Sequence, residues 1–171
     1  MDRGLVVVWL NHLVMTHMTE NIGVKTYAAN STIQPRLLVV GALDFAGTVD
    51  TKATIASYSN TAGTDSAVAS RFIVASGTDP FPNGALAIDG IPISTSNFSF
   101  TGTSFAAPRV AGYVAILRSK FPNLDAVKSS SIILDTARYD TLTCHPSCDP
   151  TIYGKGEASL SRALAPVGRL R

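Results

Sequence analysis

The sequence is organised around Gly102 to Gly112, a stretch in which a serine opens a long run of apolar and small residues. After Ser104, apart from Arg109, charge returns only at Arg118. This pattern predicts a helix that is buried on all sides. We expect Thr103 or Ser104 to cap its start, where unpaired backbone N–H groups and the positive end of the helix dipole stabilise developing negative charge.

Two features of the run favour an accessible serine. Pro108 removes the backbone N–H that would bond to the Ser104 carbonyl, and the neighbouring glycine and alanine residues let a substrate come close. A nucleophile therefore suits this position. The simpler alternative is a capped, buried helix, because serine and threonine begin many helices.

The spacing in this run favours the first interpretation. Residues 102–112 closely resemble the nucleophile motif of the subtilisin-like serine peptidases. That motif is Gly-Thr-Ser-x-Ala-x-Pro-x-Val-Ala-Gly. The chain has Gly-Thr-Ser-Phe-Ala-Ala-Pro-Arg-Val-Ala-Gly and matches every fixed position. The family often has His where this chain has Arg109. The resemblance implies that Ser104 is the nucleophile of a serine hydrolase. It also implies an α/β fold, a partial three-layer subtilisin-like arrangement with a mostly parallel sheet, flanking helices and a hairpin before the nucleophile helix.

Length and composition limit the other classes. At 171 residues, 46% hydrophobic and 15% charged, the chain is expected to form a single globular domain over residues 1–171. A net charge of +2 with scattered basic residues indicates no nucleic-acid partner. No apolar run reaches the roughly 20 residues of a membrane helix, and the first residues lack a signal-peptide pattern, so we expect a soluble chain without an export signal.

Apolar, β-branched runs predict three strands buried in a parallel sheet: Leu5 to Leu10, Arg36 to Leu43 and Phe72 to Ala75. Between the first two, Met15 to Gln34 is mixed and polar and is expected to be a long surface loop.

The second half of the chain adds a hairpin and two helices. An Asp-Gly pair between apolar runs predicts a hairpin over Ala85 to Ile93. Leu124 to Ala137 has the pattern of an amphipathic helix, with Val127, Ile132, Ile133 and Leu134 on its apolar side. The segment Ala158 to Ala165 resembles the last helix of the family.

The resemblance extends upstream of the serine. In the family, a Val-rich strand ends in an Asn whose side chain donates to the oxyanion, and Asn11 matches that Asn, although Leu10 stands where the family has Gly. The alternative is that Asn11 only terminates a strand. Ser57 to Asn60 resembles a Phe-Ser-Asn segment of the family, and Tyr153 to Gly156 resembles its Tyr-Gly-x-Gly turn.

The general base is missing from the pattern. A serine hydroxyl needs a base and an orienting group, and the family places its catalytic Asp and His before the oxyanion Asn. The chain is therefore expected to correspond to the C-terminal half of a subtilisin-like domain. A recruited base would be His12 first, because it adjoins Asn11, with His17 and His145 as further candidates. Possible orienting carboxylates are Asp44, Asp65, Asp79 and Asp89.

Cys144 and Cys148 flank a short loop. Their spacing favours a small disulfide over free thiols, and a metal site with His145 is the weakest alternative. A disulfide would place the parent protein in an oxidising compartment, consistent with the secreted habit of the resembled family.

Three functions remain open at this stage. The first is a subtilisin-like peptidase that acts through Ser104. The second is an esterase with a recruited histidine, acting on activated esters whose leaving group needs no protonation. The third is a non-catalytic remnant or a binding module completed by a partner. The expected substrate is a peptide or an ester, no cofactor or metal is expected, and uncovered strand edges favour a homo-oligomer.

Overall fold

The computed structural model describes residues 4–10, 22–81, 87–88, 91–92 and 98–165. Its centre is a parallel sheet of three strands in spatial order β1-β2-β3. The strands are β1 (Val7–Leu10), β2 (Leu37–Leu43) and β3 (Phe72–Ser76). All residues of β2 and β3 are buried, as expected for strands covered on both faces. The predicted parallel sheet is therefore confirmed.

Helices cover the two faces of this sheet. The helices are α1 (Ile22–Ala29), α2 (Ser66–Ala69), α3 (Thr103–Lys120), α4 (Ala126–Asp135), α5 (Pro150–Tyr153) and α6 (Leu160–Leu164), with a 3₁₀ turn at Gln34–Arg36. One face packs Leu38, Val40 and Ile73 against α3, α4 and α6. The other face packs Val39, Phe72 and Val74 against α1, α2 and α5. The result is a three-layer α/β arrangement.

Strand β1 is less buried than the sequence predicts. Val6 and Val8 pack against the core beneath α3. Leu5 is 80% exposed and Val7 is 37% exposed. Alternate residues of a strand point to opposite faces, so Val7 lies on the face opposite Val8, and that face is exposed, as is Leu5 before the strand.

The predicted loop from Met15 to Gln34 is wrong for its second part, where Ile22–Ala29 forms helix α1. Val24 and Ala28, one turn apart, are buried against the core of the second face. Packing of these two side chains stabilises a helix whose own sequence has little amphipathic pattern. Residues 11–21 lie outside the described part of the chain.

Helix α3 is buried on one side only, which corrects the prediction of burial all round. The buried positions recur every three or four residues, as on one helical face: Thr103, Ala106, Ala107, Val110, Val114 and Leu117. On the other side, Ala111 and Ala115 are exposed and Ile116 is 47% exposed. The described part of the chain therefore leaves an apolar helix face uncovered.

The chain reaches α3 through two antiparallel strand pairs. Strands β4 (Thr78–Phe81) and β7 (Phe98–Thr101) pair with each other. Between them, β5 (Ala87–Ile88) pairs with β6 (Ile91–Pro92). The pairing confirms the predicted hairpin over 85–93, although its Asp-Gly turn lies outside the described residues.

The C-terminal elements largely follow the sequence pattern. Helix α4 lies within the predicted range, and the side chain of Asp125 caps it by accepting the Lys128 N–H at 2.7 Å. Its residues 132–134 are buried, whereas Val127 is 38% exposed and does not belong to the apolar side. Helix α6 lies within the predicted range 158–165.

Cys144 and Cys148 form a disulfide, as the spacing predicts. Within the described ranges, no group of three or more His, Cys, Asp or Glu side chains is arranged to hold a metal ion. Of the helices in the described part of the chain, none is long and apolar enough to span a membrane.

Candidate active site

Helix α3 begins at the carboxyl edge of the parallel sheet. Strand β3 ends at Ser76, and the carbonyl of the next residue, Gly77, accepts the Gly102 N–H at 2.8 Å. Gly102 immediately precedes α3. Crevices at the carboxyl ends of parallel strands are the usual ligand sites of α/β sheets, so the start of α3 is placed where a substrate can bind.

Ser104 is the second residue of α3 and is exposed. The helix starts at Thr103, so Gly102 rather than Thr103 or Ser104 is the N-cap, and it makes no side-chain cap bond. Thr103 lies inside the helix and is fully buried. The predicted capping role is thus wrong. The Ser104 N–H nevertheless belongs to the first turn, whose N–H groups lack an intrahelical acceptor and carry the positive end of the dipole.

Gly102 leaves room beside the Ser104 hydroxyl. A Cβ at Gly102 would lie 3.0 Å from Ser104 Oγ, which is tighter than nearly all real contacts of this kind. Pro108 is inside α3 and cannot donate to the Ser104 carbonyl. A side chain at position 102 would therefore crowd the Ser104 hydroxyl, and glycine there avoids this contact.

Two aromatic residues close to Ser104 in sequence stack on each other. The rings of Phe100 and Phe105 stack with centroids 6.2 Å apart and an interplanar angle of 11°. Phe100 is 40% exposed. The pair is therefore an apolar feature that is partly open to solvent.

Arg109 connects α3 to strand β4. Its guanidinium donates to Asp79 Oδ1 at 2.7 Å and to the Thr78 carbonyl at 3.1 Å. Asp79, one of the possible orienting carboxylates, therefore pairs with a cation of the helix that carries Ser104.

Two other candidate carboxylates serve local structure. Asp44 Oδ1 accepts the N–H groups of Phe45 at 2.9 Å and Thr54 at 3.0 Å. Asp65 caps α2 by accepting two backbone N–H groups. Asp44 thus orders the loop after β2, and Asp65 the start of α2.

The remaining candidates divide into two groups. Asn11, His12, His17 and Asp89 lie outside the described residues. His145 lies in the disulfide loop, whose cysteines pack against the core of the second face, whereas α3 packs on the first. The structure therefore does not bring His145 to Ser104.

Tyr58 is a residue that the sequence did not single out. Its hydroxyl donates to the Gly77 carbonyl at 3.2 Å, directly next to the turn before Ser104. Burial raises the pKa of the Tyr58 hydroxyl, and the nearby Thr78 hydroxyl and Gly102 backbone lower it less. One sequence feature could have indicated Tyr58: it is a tyrosine at the position where the resembled Phe-Ser-Asn segment has phenylalanine.

Three solved structures of known proteins are similar to this chain. The structure resembles fervidolysin from Fervidobacterium pennivorans, a keratinolytic enzyme related to subtilisin, with a TM-score of 0.53 and 25% identity over 75% of this chain. A protease of Pseudoalteromonas arctica gives a TM-score of 0.48 and 23% identity, covering 75% of this chain and 35% of its own. The MycP3 protease of a type VII secretion system gives 0.49 and 27%, covering 80% and 34%.

The chain covers 19% of the fervidolysin chain. No curated protein sequence matches it significantly. The sequence model of the protein family Peptidase S8, the subtilase family, matches residues 19–161. This range includes α3 and both strand pairs before it. The chain therefore belongs to the subtilase family.

Proposed function

We propose that this chain provides the nucleophile, Ser104, of a subtilisin-like serine peptidase that cleaves peptides by acyl transfer. One observation carries the proposal: an exposed serine lies in the first turn of α3, at the carboxyl edge of the parallel sheet, within the segment that matches the family. The stacked Phe100 and Phe105 rings support an apolar substrate group next to the serine.

The reaction follows from this placement. Ser104 Oγ attacks the carbonyl carbon of the scissile bond while a base removes its proton. The Ser104 N–H, at the positive end of the helix dipole, stabilises the negative oxygen that forms, and Asn11 is proposed as the second donor. Collapse of this intermediate expels the amine or alcohol, which takes a proton, and water then hydrolyses the acyl-enzyme.

The base decides which substrates are cleaved. In serine peptidases, subtilisin included, removing a triad member leaves roughly 10³–10⁴-fold catalysis over water, from the oxyanion hole and binding. Such a residual is too small for peptide bonds. It is measurable on an activated ester, because the leaving group needs no protonation. We therefore expect the isolated chain to show esterase activity before protease activity.

The test is hydrolysis of p-nitrophenyl acetate, with casein digestion in parallel. Ser104→Ala should abolish ester turnover. Ser119→Ala is the matched control, since Ser119 is exposed near the other end of α3, and it should leave turnover unchanged. His12→Ala should lower turnover if His12 is the base. Equal turnover by wild type and Ser104→Ala would refute the proposed nucleophile.

A second candidate function is a half-domain that needs a partner to become active. Exposed apolar residues favour this candidate, because such surface is normally covered. They are Ala111, Ala115 and Ile116 on α3, and Leu5 and Val7 at β1. Adding the N-terminal half of a subtilisin-like domain as a separate chain should then produce casein digestion that Ser104→Ala removes. No gain of digestion with that half, although both chains are folded, would contradict this candidate.

A second copy of this chain is the occupant that we propose for the open edge of β1. Strand β1 has β2 as its one partner among the described strands, and an open strand edge pairs readily with another chain. Sedimentation velocity at micromolar concentration should show a homo-oligomer, and Val7→Lys, a charge on the exposed face of β1, should weaken it. A compact monomer would contradict self-association.

The disulfide supports an oxidising compartment for the natural protein, because such bonds rarely persist in a reducing cytosol. A membrane-permeant alkylating reagent, added to intact producing cells before lysis, should therefore leave Cys144 and Cys148 unlabelled. Quantitative labelling of both thiols would place the protein in a reducing compartment instead.

A further inference from the structure

The carbonyl of Gly77 is the meeting point of two hydrogen bonds. It accepts the Gly102 N–H at 2.8 Å and the Tyr58 hydroxyl at 3.2 Å. Gly102 stands two residues before Ser104 and is the N-cap of its helix. Tyr58 is thus connected to the turn before the serine through one shared oxygen atom.

Space around Gly77 is as restricted as its hydrogen bonding. A Cβ at Gly77 would lie 2.6 Å from Ala42 Cβ, 2.7 Å from Tyr58 Oη and 3.0 Å from the Gly102 carbonyl oxygen. Distances this short exclude any side chain at this position unless the surroundings move. Tyr58 Oη and the Gly102 carbonyl oxygen therefore both lie close against Gly77.

The backbone next to Tyr58 is itself fixed to the sheet. The Ser59 hydroxyl accepts the Ala42 N–H at 2.8 Å and donates to the Asn60 carbonyl at 2.9 Å. The Ala56 N–H donates to the Ala42 carbonyl at 2.9 Å. The half-buried ring of Tyr58 packs against the core beneath α3. The tyrosine hydroxyl is therefore held by the central sheet rather than by a mobile loop.

We propose that Tyr58 is a positioning residue for the nucleophile: its hydroxyl, by sharing the Gly77 carbonyl with the Gly102 N–H, fixes the turn that aims Ser104. This role rests on the function proposed for Ser104. Serine catalysis depends on small distances, and a displacement of about 1 Å can cost 10²-fold in rate. A hydroxyl that restricts the conformation of the preceding turn should therefore affect kcat rather than KM.

The protonation state of Tyr58 agrees with this role. Burial raises the pKa of its hydroxyl above the usual tyrosine value of 10.0. The hydroxyl therefore stays protonated at neutral pH and can donate to the Gly77 carbonyl throughout the range in which serine hydrolases work.

Tyr58→Phe tests the proposal because it removes one oxygen atom and keeps the ring. Two quantities are measured in each variant: kcat and KM for p-nitrophenyl acetate, and the hydrogen-exchange rate of the Gly102 amide by NMR. We expect Tyr58→Phe to lower kcat by roughly 3- to 10-fold, the effect of one hydrogen bond, with KM unchanged. The Gly102 amide should exchange faster by a similar factor.

Tyr113→Phe is the matched control. Tyr113 lies on α3 and packs against the same core as Tyr58, so a general effect of removing a tyrosine hydroxyl from this core should appear in both variants. We expect Tyr113→Phe to change neither kcat nor Gly102 exchange.

The outcomes separate this inference from the function on which it rests. Loss of turnover in Ser104→Ala together with unchanged kcat in Tyr58→Phe would overturn the positioning role alone. Lower kcat without faster Gly102 exchange would overturn the route through the Gly77 carbonyl. Equal turnover by wild type and Ser104→Ala would refute the nucleophile, and the positioning role with it, whatever the exchange rate of Gly102.

Discussion

Arg109 and Asp79 form a 2.7 Å ion pair that joins the nucleophile helix α3 to strand β4. Arg109 stands five positions after Ser104, and β4 begins directly after Gly77. The pair therefore spans the two elements that meet at the candidate active site. Arg109 makes this connection with a long, permanently charged side chain.

This ion pair should contribute little to stability. Its side chains are 35% and 42% exposed, and exposed pairs contribute about 0.2–1 kcal/mol. A double-mutant cycle of Arg109→Ala and Asp79→Ala, measured by urea unfolding, should give a coupling energy in this range that falls as salt is added. A coupling above about 2 kcal/mol, insensitive to salt, would show that the pair is much less exposed to solvent than the structure indicates.

Two neighbouring residues of α3 should differ strongly in their effect on stability. Leu117 is fully buried, whereas Ile116 is 47% exposed. Leu117→Ala should lower the free energy of unfolding by about 2–5 kcal/mol, because it leaves a cavity in the core beneath the helix. Ile116→Ala should cost less than about 1 kcal/mol. Similar losses in urea unfolding would contradict the orientation of α3.

Glu157 should make stability depend on pH. It is 5% exposed, and its carboxylate accepts the Gly47 N–H at 3.2 Å and the Thr141 hydroxyl. Burial raises the pKa of Glu157 above 4.5, while its hydrogen bonds and Arg138 lower it less. The folded state therefore binds the proton more tightly than the unfolded chain, and stability falls as pH rises from 4.5 through the raised value.

Glu157→Gln removes this titration. Relative to Glu157→Gln, wild type should therefore be more stable at pH 4 than at pH 7. The stability of both proteins is measured as the free energy of unfolding in urea. Asp50→Asn is the control at an exposed acid. A difference between wild type and Glu157→Gln that stays the same at both pH values would show that the pKa of Glu157 is not raised by folding.

The disulfide should add modest stability. The sequence separation of Cys144 and Cys148 is 4, and the chain-entropy relation gives about 2 kcal/mol for so short a loop. Reduction should lower the unfolding midpoint in urea by a corresponding amount. The double variant Cys144→Ser/Cys148→Ser should start at the lower midpoint and not respond to reductant. Identical midpoints before and after reduction of wild type would show that the bond contributes nothing.

Much of the fold could be predicted because several elements have strong local signals. Strands β2 and β3 are continuous apolar runs, and an Asp-Gly pair lies between the paired strands β5 and β6. Helix α1 has no such signal, because its amphipathic pattern is weak and Val24 and Ala28 are its buried residues among the side chains that the structure describes. Its formation depends on tertiary packing, which a single sequence does not show.

The candidate site could be predicted only in part for a similar reason. The motif around Ser104 places an exposed serine at a helix start, and the structure has it there. The contacts of Tyr58 with Gly77 and of Arg109 with Asp79 join residues that are distant in sequence. No periodicity or spacing predicts such contacts. The uncovered face of α3 was also missed, because an apolar helix pattern does not say which other elements are present to cover it.

The most direct measurement of the central claim is covalent labelling of Ser104. The protein is incubated with a fluorophosphonate, which reacts with activated serines, and the modified peptide is identified by mass spectrometry. The account predicts one adduct, on Ser104, which is absent in Ser104→Ala and unchanged in Ser119→Ala. Failure to label Ser104 in the folded protein, or labelling of another serine at the same rate, would contradict the assignment of Ser104 as the nucleophile.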